Sequence, residues 1–217
     1  MPDSLIINDD WSDLAAYHPL PEVNTGRLLA YRQRRLLDQM RQSNVALVIL
    51  INPVSLRYVA DLRSYMLYQT HIPTVYAFLG QEGEPIVHGI YDAEQSRLAR
   101  HARSINFFDA GDTMSDQARL LAEDVVQYLA ELGTDNRRVA LEHSNPSLTQ
   151  ALLQRGLEVV DAEPLVERAR LIKSDDELIC MRWSIAVAEL GIAKMEEAIR
   201  PGVSESQLWA LLNYTNL

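Results

Sequence analysis

Five histidines, His18, His71, His88, His101 and His143, are the chain's strongest candidate metal ligands. They are scattered, and no His-x-x-x-His pair occurs. A catalytic metal ion needs several carboxylate or imidazole ligands converging on one point, and this spacing supplies none. The best carboxylate pair is Asp109-x-x-Asp112. It reads as an aspartate at a strand end followed by a helix N-cap. Asp175-Asp176-Glu177 places three acids at the positive end of a helix dipole, which is a helix start and not a ligand set. Nucleophilic catalysis fares no better. There is no Gly-x-Ser-x-Gly elbow, and Cys180, the single cysteine, lies in an apolar helix with no evident base. Gly80-x-x-Gly83 is a turn, not a phosphate loop.

Composition narrows the partners. The 217 residues are 47% apolar, enough for a sizeable core. The net charge of −10 argues against nucleic acid, whose binding needs a concentrated cationic surface, and against an anionic membrane. Arg32, Arg34 and Arg35 form the one dense basic run and read as the wet face of a helix. One cysteine forbids an internal disulfide and suits a reducing cytoplasm. The first residues lack a basic flank before an apolar core, so no signal peptide is expected. No apolar run approaches the ~20 residues that span a bilayer.

The elements that position these groups follow from periodicity. Residues 1–25 read as an acidic, irregular arm. A helix runs from Gly26 to about Ser43, with Leu29, Leu36, Leu37 and Met40 inward. VALVILI (45–51) is unbroken and β-branched, a strand buried on both faces, and Asn52-Pro53 ends it. Residues 55–71 begin as a short helix and become a loop rich in Tyr and Arg. A hairpin turns at residues 80–83. YDAEQSRLARHA (91–102) reads as a helix and SINFFD (104–109) as a strand. Asp112 then caps a helix whose inner side is Ala118, Leu121, Ala122, Val125, Leu129 and Leu132. RRVALE, NPSLTQALLQRG and LEVVD complete the alternation as strand, helix closed by Gly156, and strand. The expected fold is α/β, a mixed sheet with helices on both faces.

The character changes near Ala162. Ser174-x-x-Glu177 is a capping box that opens a long helix. Leu178, Met181, Ile185, Ala188, Ile192, Met195 and Ile199 then recur at intervals of three and four, a stripe that wants a surface to pack against. Pro201-Gly202 breaks the chain, and Ser204-x-x-Gln207 launches a second helix with Leu208, Leu211 and Leu212.

These last segments resemble the creatinase/prolidase/aminopeptidase P family. In that family an Arg-x-Ile-Lys-Ser/Thr-x-x-Glu run opens the first helix of the pita-bread catalytic domain, and an Ile-x-Pro-Gly-Val/Thr-x-Glu turn ends it. Arg170, Ile172, Lys173, Ser174 and Glu177 match the first pattern, and Ile199, Pro201, Gly202, Val203 and Glu205 the second. NPVSLRYVADLRSY resembles the family's Asn-Ile-x-Tyr-Leu-Thr-Gly region, with Asp61 where glycine is usual. NPVSLRYVAD, the Tyr-x-x-Thr-His of 68–71 and FFDAGD resemble one branch more closely, the prolidase-fold lyases that cleave dimethylsulfoniopropionate.

The resemblance implies three parts: an arm (1–25), a creatinase-type N-terminal domain (26–165), and the truncated helical start of a pita-bread α+β domain (166–217). It implies a parent that is an Xaa-Pro peptidase-type metallohydrolase, or alternatively a lyase. Two divalent ions such as Mn, Fe, Zn or Co would be held by two Asp, one His and two Glu that this chain does not contain. The chain alone is then catalytically incomplete, with no cofactor of its own. Its expected role is pairing, as a homodimer or with a full-length relative, and leaning over the partner's active site to cover a small peptide or small-molecule substrate. The leaning loop is residues 63–71, with Arg63, Tyr65, Tyr68 and His71 as candidate substrate-capping side chains. Leu67 and Gln69 stand near where creatinase-like members place an aromatic and an arginine, which weakens a creatinase assignment. A non-catalytic interaction module, or a decayed gene product, is the alternative.

Overall fold

The computed structural model describes residues 21–62, 75–82, 84–89, 100–103, 111–143 and 145–216. The chain divides into two compact units, Leu29–Ile172 in one and Lys173–Leu217 with the segment up to Leu28 in the other.

The Leu29–Ile172 unit is built on a six-stranded sheet. Its strands are β1 (Leu47–Leu50), β2 (Val75–Gly80), β3 (Ile86–Gly89), β4 (Arg100–Arg103), β5 (Arg138–Leu141) and β6 (Glu158–Asp161). They lie in the order β4-β3-β2-β1-β5-β6. β1 pairs parallel with β5, and β5 with β6, while β2 runs antiparallel to both β1 and β3. β3 and β4 are parallel. The carboxyl ends of β1, β5 and β6 therefore share one edge of the sheet, and β2 starts at that edge, where Leu50 is in register with Ala77.

The helices are α1 (Thr25–Gln42), α2 (Pro53–Ala60), α3 (Met114–Glu131), α4 (Pro146–Gln154) and α5 (Glu163–Leu171). Residues 45–51 are all buried, as an uninterrupted apolar strand requires. Alternate side chains of β1 go to opposite faces. Leu47 and Ile49 join a core with Phe78, Val125 and Leu129 of α3 and Leu148 and Leu152 of α4. Val48 and Leu50 join the other core, with Leu36 and Met40 of α1, Leu56 and Val59 of α2 and Leu165 and Val166 of α5. Gly156 takes φ 72° just past α4, a left-handed stop that favours glycine.

Two local expectations change. Arg100–Arg103 is strand, hydrogen-bonded in parallel to β3, where the sequence reads as helix through Ala102. The helix expected to start on Asp112 is N-capped by Thr113 and has no side-chain cap bond. The strand expected at 104–109 lies outside the described residues. The helix α5 has no side-chain N-cap at Ala162; Glu163 and Pro164 stand in its first turn, and Asp161 Oδ1 accepts from the Glu163 N–H at 2.9 Å.

In the second unit, α6 (Asp175–Ala198) opens on the expected capping box. Ser174 Oγ accepts from the Glu177 N–H, and Glu177 Oε2 accepts from the Ser174 N–H at 2.9 Å. Asp176 is bracketed by Arg27, whose Nε and Nη2 each donate to it at 2.7 Å. That guanidinium holds the Asp176 carboxyl below its ordinary 3.8. Gly202, at φ 94°, turns the chain after Pro201. Ser204 and Gln207 then bond reciprocally to start α7 (Glu205–Asn216). Leu178, Met181, Ile185, Ile192 and Ile199 remain exposed along α6. No described helix is long and apolar enough to cross a membrane.

Candidate functional site

At the shared carboxyl edge β5 is followed directly by Glu142, whose side chain is buried. Its Oε2 accepts from the N–H groups of Ile51 and Asn52, both at 2.7 Å, and its Oε1 accepts from Ser55 Oγ at 2.5 Å. One carboxylate thus ties the end of β1 to the first turn of α2. Asn52 completes the joint as N-cap, accepting from the Val54 N–H at 2.9 Å, and Pro53 enters the helix where a missing N–H costs nothing. Burial pushes the Glu142 carboxyl above its ordinary 4.5. The donors on Ser55, Ile51 and Asn52 pull the other way, and nearby Glu163 adds a further push upward. When Glu142 is protonated, Oε1 can donate to Ser55 while Oε2 still accepts both backbone N–H groups.

The far end of α2 is equally fixed. Asp61 ends it in the left-handed region, at φ 52° and ψ 29°, with its N–H donating to Arg57 O. Its carboxylate pairs with Arg57 Nε at 3.2 Å. Gln33 Nε2 of α1 donates to the Val59 carbonyl at 2.8 Å. Aspartate is among the few side chains that tolerate this backbone where glycine is usual. Asp61→Gly is expected to be nearly neutral, trading an ion pair for freedom, whereas Asp61→Val is expected to cost about 1–2 kcal/mol. Urea unfolding of the two variants checks this. Equal stability would mean that the left-handed turn is not populated.

Arg63, Tyr65, Tyr68 and His71 lie outside the described residues, as does Asp109. Their anchors do not. Leu62 and Val75, the residues nearest the segment's two ends, are both buried, and Val75 starts β2 beside the carboxyl end of β1. The described residues on either side of 63–74 are thus fixed in the sheet unit, Leu62 after α2 and Val75 at the start of β2.

The other expected groups fall apart in space. His88 is buried on β3, in register with Tyr76, against the Phe78 ring at 4.3 Å between centroids. Its Nδ1 lies 4.0 Å from Asp124 Oδ2 on α3. His101 is in β4, His143 borders a shallow cleft with Thr149, Asp161 and Glu163, and His18 is not described. Cys180 is half-buried on α6. Among the described residues no group of three or more His, Cys, Asp or Glu converges to hold a metal ion, so they do not fit a two-metal set. The basic run is only partly a wet face. Arg34 is exposed, but Arg32 stacks over the Tyr58 ring at 5.2 Å and Arg35 reaches α5. Sequence reasoning missed Glu142. Its one signal is an acid closing an apolar strand in a chain where another apolar strand ends on Asn-Pro.

The Creatinase/Prolidase N-terminal domain family matches residues 32–172. The chain is 28% identical over 210 residues to the dimethylsulfoniopropionate lyase DddP of Roseobacter denitrificans, covering 91% of this chain and 46% of that protein. The lyase of the same name from Roseovarius nubinhibens is 27% identical over 213 residues, covering 91% and 47%. The chain thus spans about half the length of these relatives. Among solved structures, an Xaa-Pro dipeptidase from Bacillus anthracis superposes with a TM-score of 0.59 at 18% identity, over 87% of this chain and 48% of that one. The dipeptidase PepE of Mycobacterium ulcerans gives 0.57 at 18% identity, over 90% and 50%. The fold likeness and the family match over residues 32–172 agree: this chain belongs to the creatinase/prolidase N-terminal domain family.

Proposed function

We propose that this chain is the substrate-covering and pairing portion of a creatinase/prolidase-type metalloenzyme. The family match over residues 32–172 carries this reading. The burial of Leu62 and Val75, on either side of residues 63–74, supports it, because both ends of the candidate capping segment are then held in the sheet unit. Arg63, Tyr65, Tyr68 and His71 present the polar and aromatic surface to a small peptide or small molecule. The metal pair, of ions such as Mn, Fe, Zn or Co, is held by residues outside those described, and the chain alone is catalytically incomplete. It acts in a reducing cytoplasm as a homodimer or paired with a full-length relative, without nucleic acid or membrane.

The parent reaction is hydrolysis of Xaa-Pro bonds. A second reading, dimethylsulfoniopropionate cleavage, is favoured by the alignment to two such lyases over 91% of the chain. The purified chain, supplied with Mn²⁺, Fe²⁺ or Zn²⁺, is expected to turn over neither Gly-Pro nor dimethylsulfoniopropionate. Metal-dependent turnover of either compound would overturn the incompleteness. Saturation-transfer NMR separates the two readings: contact with Gly-Pro alone supports the peptidase, and contact with dimethylsulfoniopropionate alone supports the lyase.

A further inference from the structure

The carboxyl end of α5 has an unusual solution to a general problem. The last carbonyls of a helix have no partner within it, and a following glycine in the left-handed region commonly supplies one. α5 has no such glycine. Its C-cap, Ile172, is extended at φ −98° and ψ 122°, and the chain runs on through Lys173. The carbonyls are met instead by side chains from other helices. Arg35 of α1 donates through Nη2 to Arg168 O at 3.1 Å and through Nε to Ala169 O at 3.3 Å. The Tyr58 hydroxyl of α2 donates to Ala169 O at 3.1 Å. One turn earlier on the same face of α1, the Tyr31 hydroxyl donates to Ile172 O at 3.0 Å. These four bonds all lie inside the Leu29–Ile172 unit.

We infer that Arg35, Tyr31 and Tyr58 form a clamp on residues 168–172, holding the last turn of α5 and the extended Ile172 that follows it in one conformation at the chain's exit from the sheet domain. The clamp makes this exit a conformational device, whose opening is set by side chains more than a hundred residues away in sequence. The inference is independent of the substrate-covering role, since it concerns only how residues 168–172 are held.

A protease tests it, because cleavage needs a stretch of backbone to detach, and the rate follows the population of the open form. Leu171, Ile172 and Lys173 are already exposed side chains, so access to them is not what limits cutting. Limited trypsin digestion of the full chain, read by mass spectrometry, reports cuts after Arg168, Arg170 and Lys173. Tyr31→Phe removes one hydroxyl and is expected to speed these cuts roughly 2- to 10-fold, the worth of one neutral hydrogen bond. Arg35→Met removes two charge-assisted bonds and is expected to speed them by at least ~10-fold. Arg41→Met alters an exposed pair with Asp38 on the same helix and is expected to leave the rate unchanged. Cutting at the wild-type rate in Tyr31→Phe, with the Tm also unchanged, would overturn the clamp. Should Arg35→Met lower the Tm and hasten cleavage everywhere, the Tyr31→Phe result decides.

Discussion

Glu142→Leu is expected to lower the stability of the sheet unit by about 3–6 kcal/mol. The substitution leaves two backbone N–H groups and the Ser55 hydroxyl without their acceptor in a buried place, at about 1–3 kcal/mol each. Against a typical total of about 5–15 kcal/mol, that is a large share. Glu142→Gln is expected to cost far less, about 1 kcal/mol. Its amide oxygen can accept from Ile51 and Asn52 while its NH₂ donates to Ser55. The pH dependence has a definite sign. The folded carboxyl is raised above the ordinary 4.5, so the folded state holds the proton more tightly than the unfolded chain. The resulting stability is fully present below about pH 4.5 and is lost as pH rises through the elevated folded value. The advantage of the wild type over Glu142→Gln is therefore expected to shrink across that window. Urea unfolding at a series of pH values reads both effects. A Glu142→Leu variant as stable as wild type would remove the clasp from the account.

Phe78→Ala carries the next largest expected effect, about 3–5 kcal/mol. Phe78 is fully buried in β2, between Ile49 on β1 in register and the rings of His88 at 4.3 Å and Tyr128 at 6.2 Å. Its removal opens a cavity in the middle of the sheet, where strands paired on both sides limit collapse. The imidazole of His88, beside Asp124, loses the aromatic surface that covers it. Phe78→Leu, which keeps most of the volume, is expected to recover more than half of the loss. Thermal unfolding of the two variants tests this, and equal losses would place the ring's contribution elsewhere than packing.

Most of the fold was legible because its signals are local. The β-branched run 45–51, the period of α3, the hairpin and both capping boxes are patterns within a few residues, and each stands where the sequence places it. The exceptions depend on partners distant in sequence. β4 is Arg-His-Ala-Arg, without alternation or β-branching, and it is strand because β3 offers it an edge. α5 begins without a cap, at Ala162, and ends on donors from α1 and α2. The site followed the same rule. Asp61 was visible as a substituted glycine at the end of a short helix. Glu142 was hidden, because its three donors come from 87 to 91 residues earlier in the chain. Arg35 was misplaced on a wet face for the same reason, since its partners lie 133 and 134 residues away.

Glu142 joins β1, β5 and the first turn of α2 at the carboxyl edge of the sheet. Hydrogen exchange at the Ile51 and Asn52 amides tests that joint most directly, because those two N–H groups donate to the carboxylate. The expected result is exchange as slow as in the centre of β1 for the wild type, and at least ~100-fold faster at these two amides in Glu142→Leu. Fast exchange at both amides in the wild type, at the rate of an open loop, would contradict it.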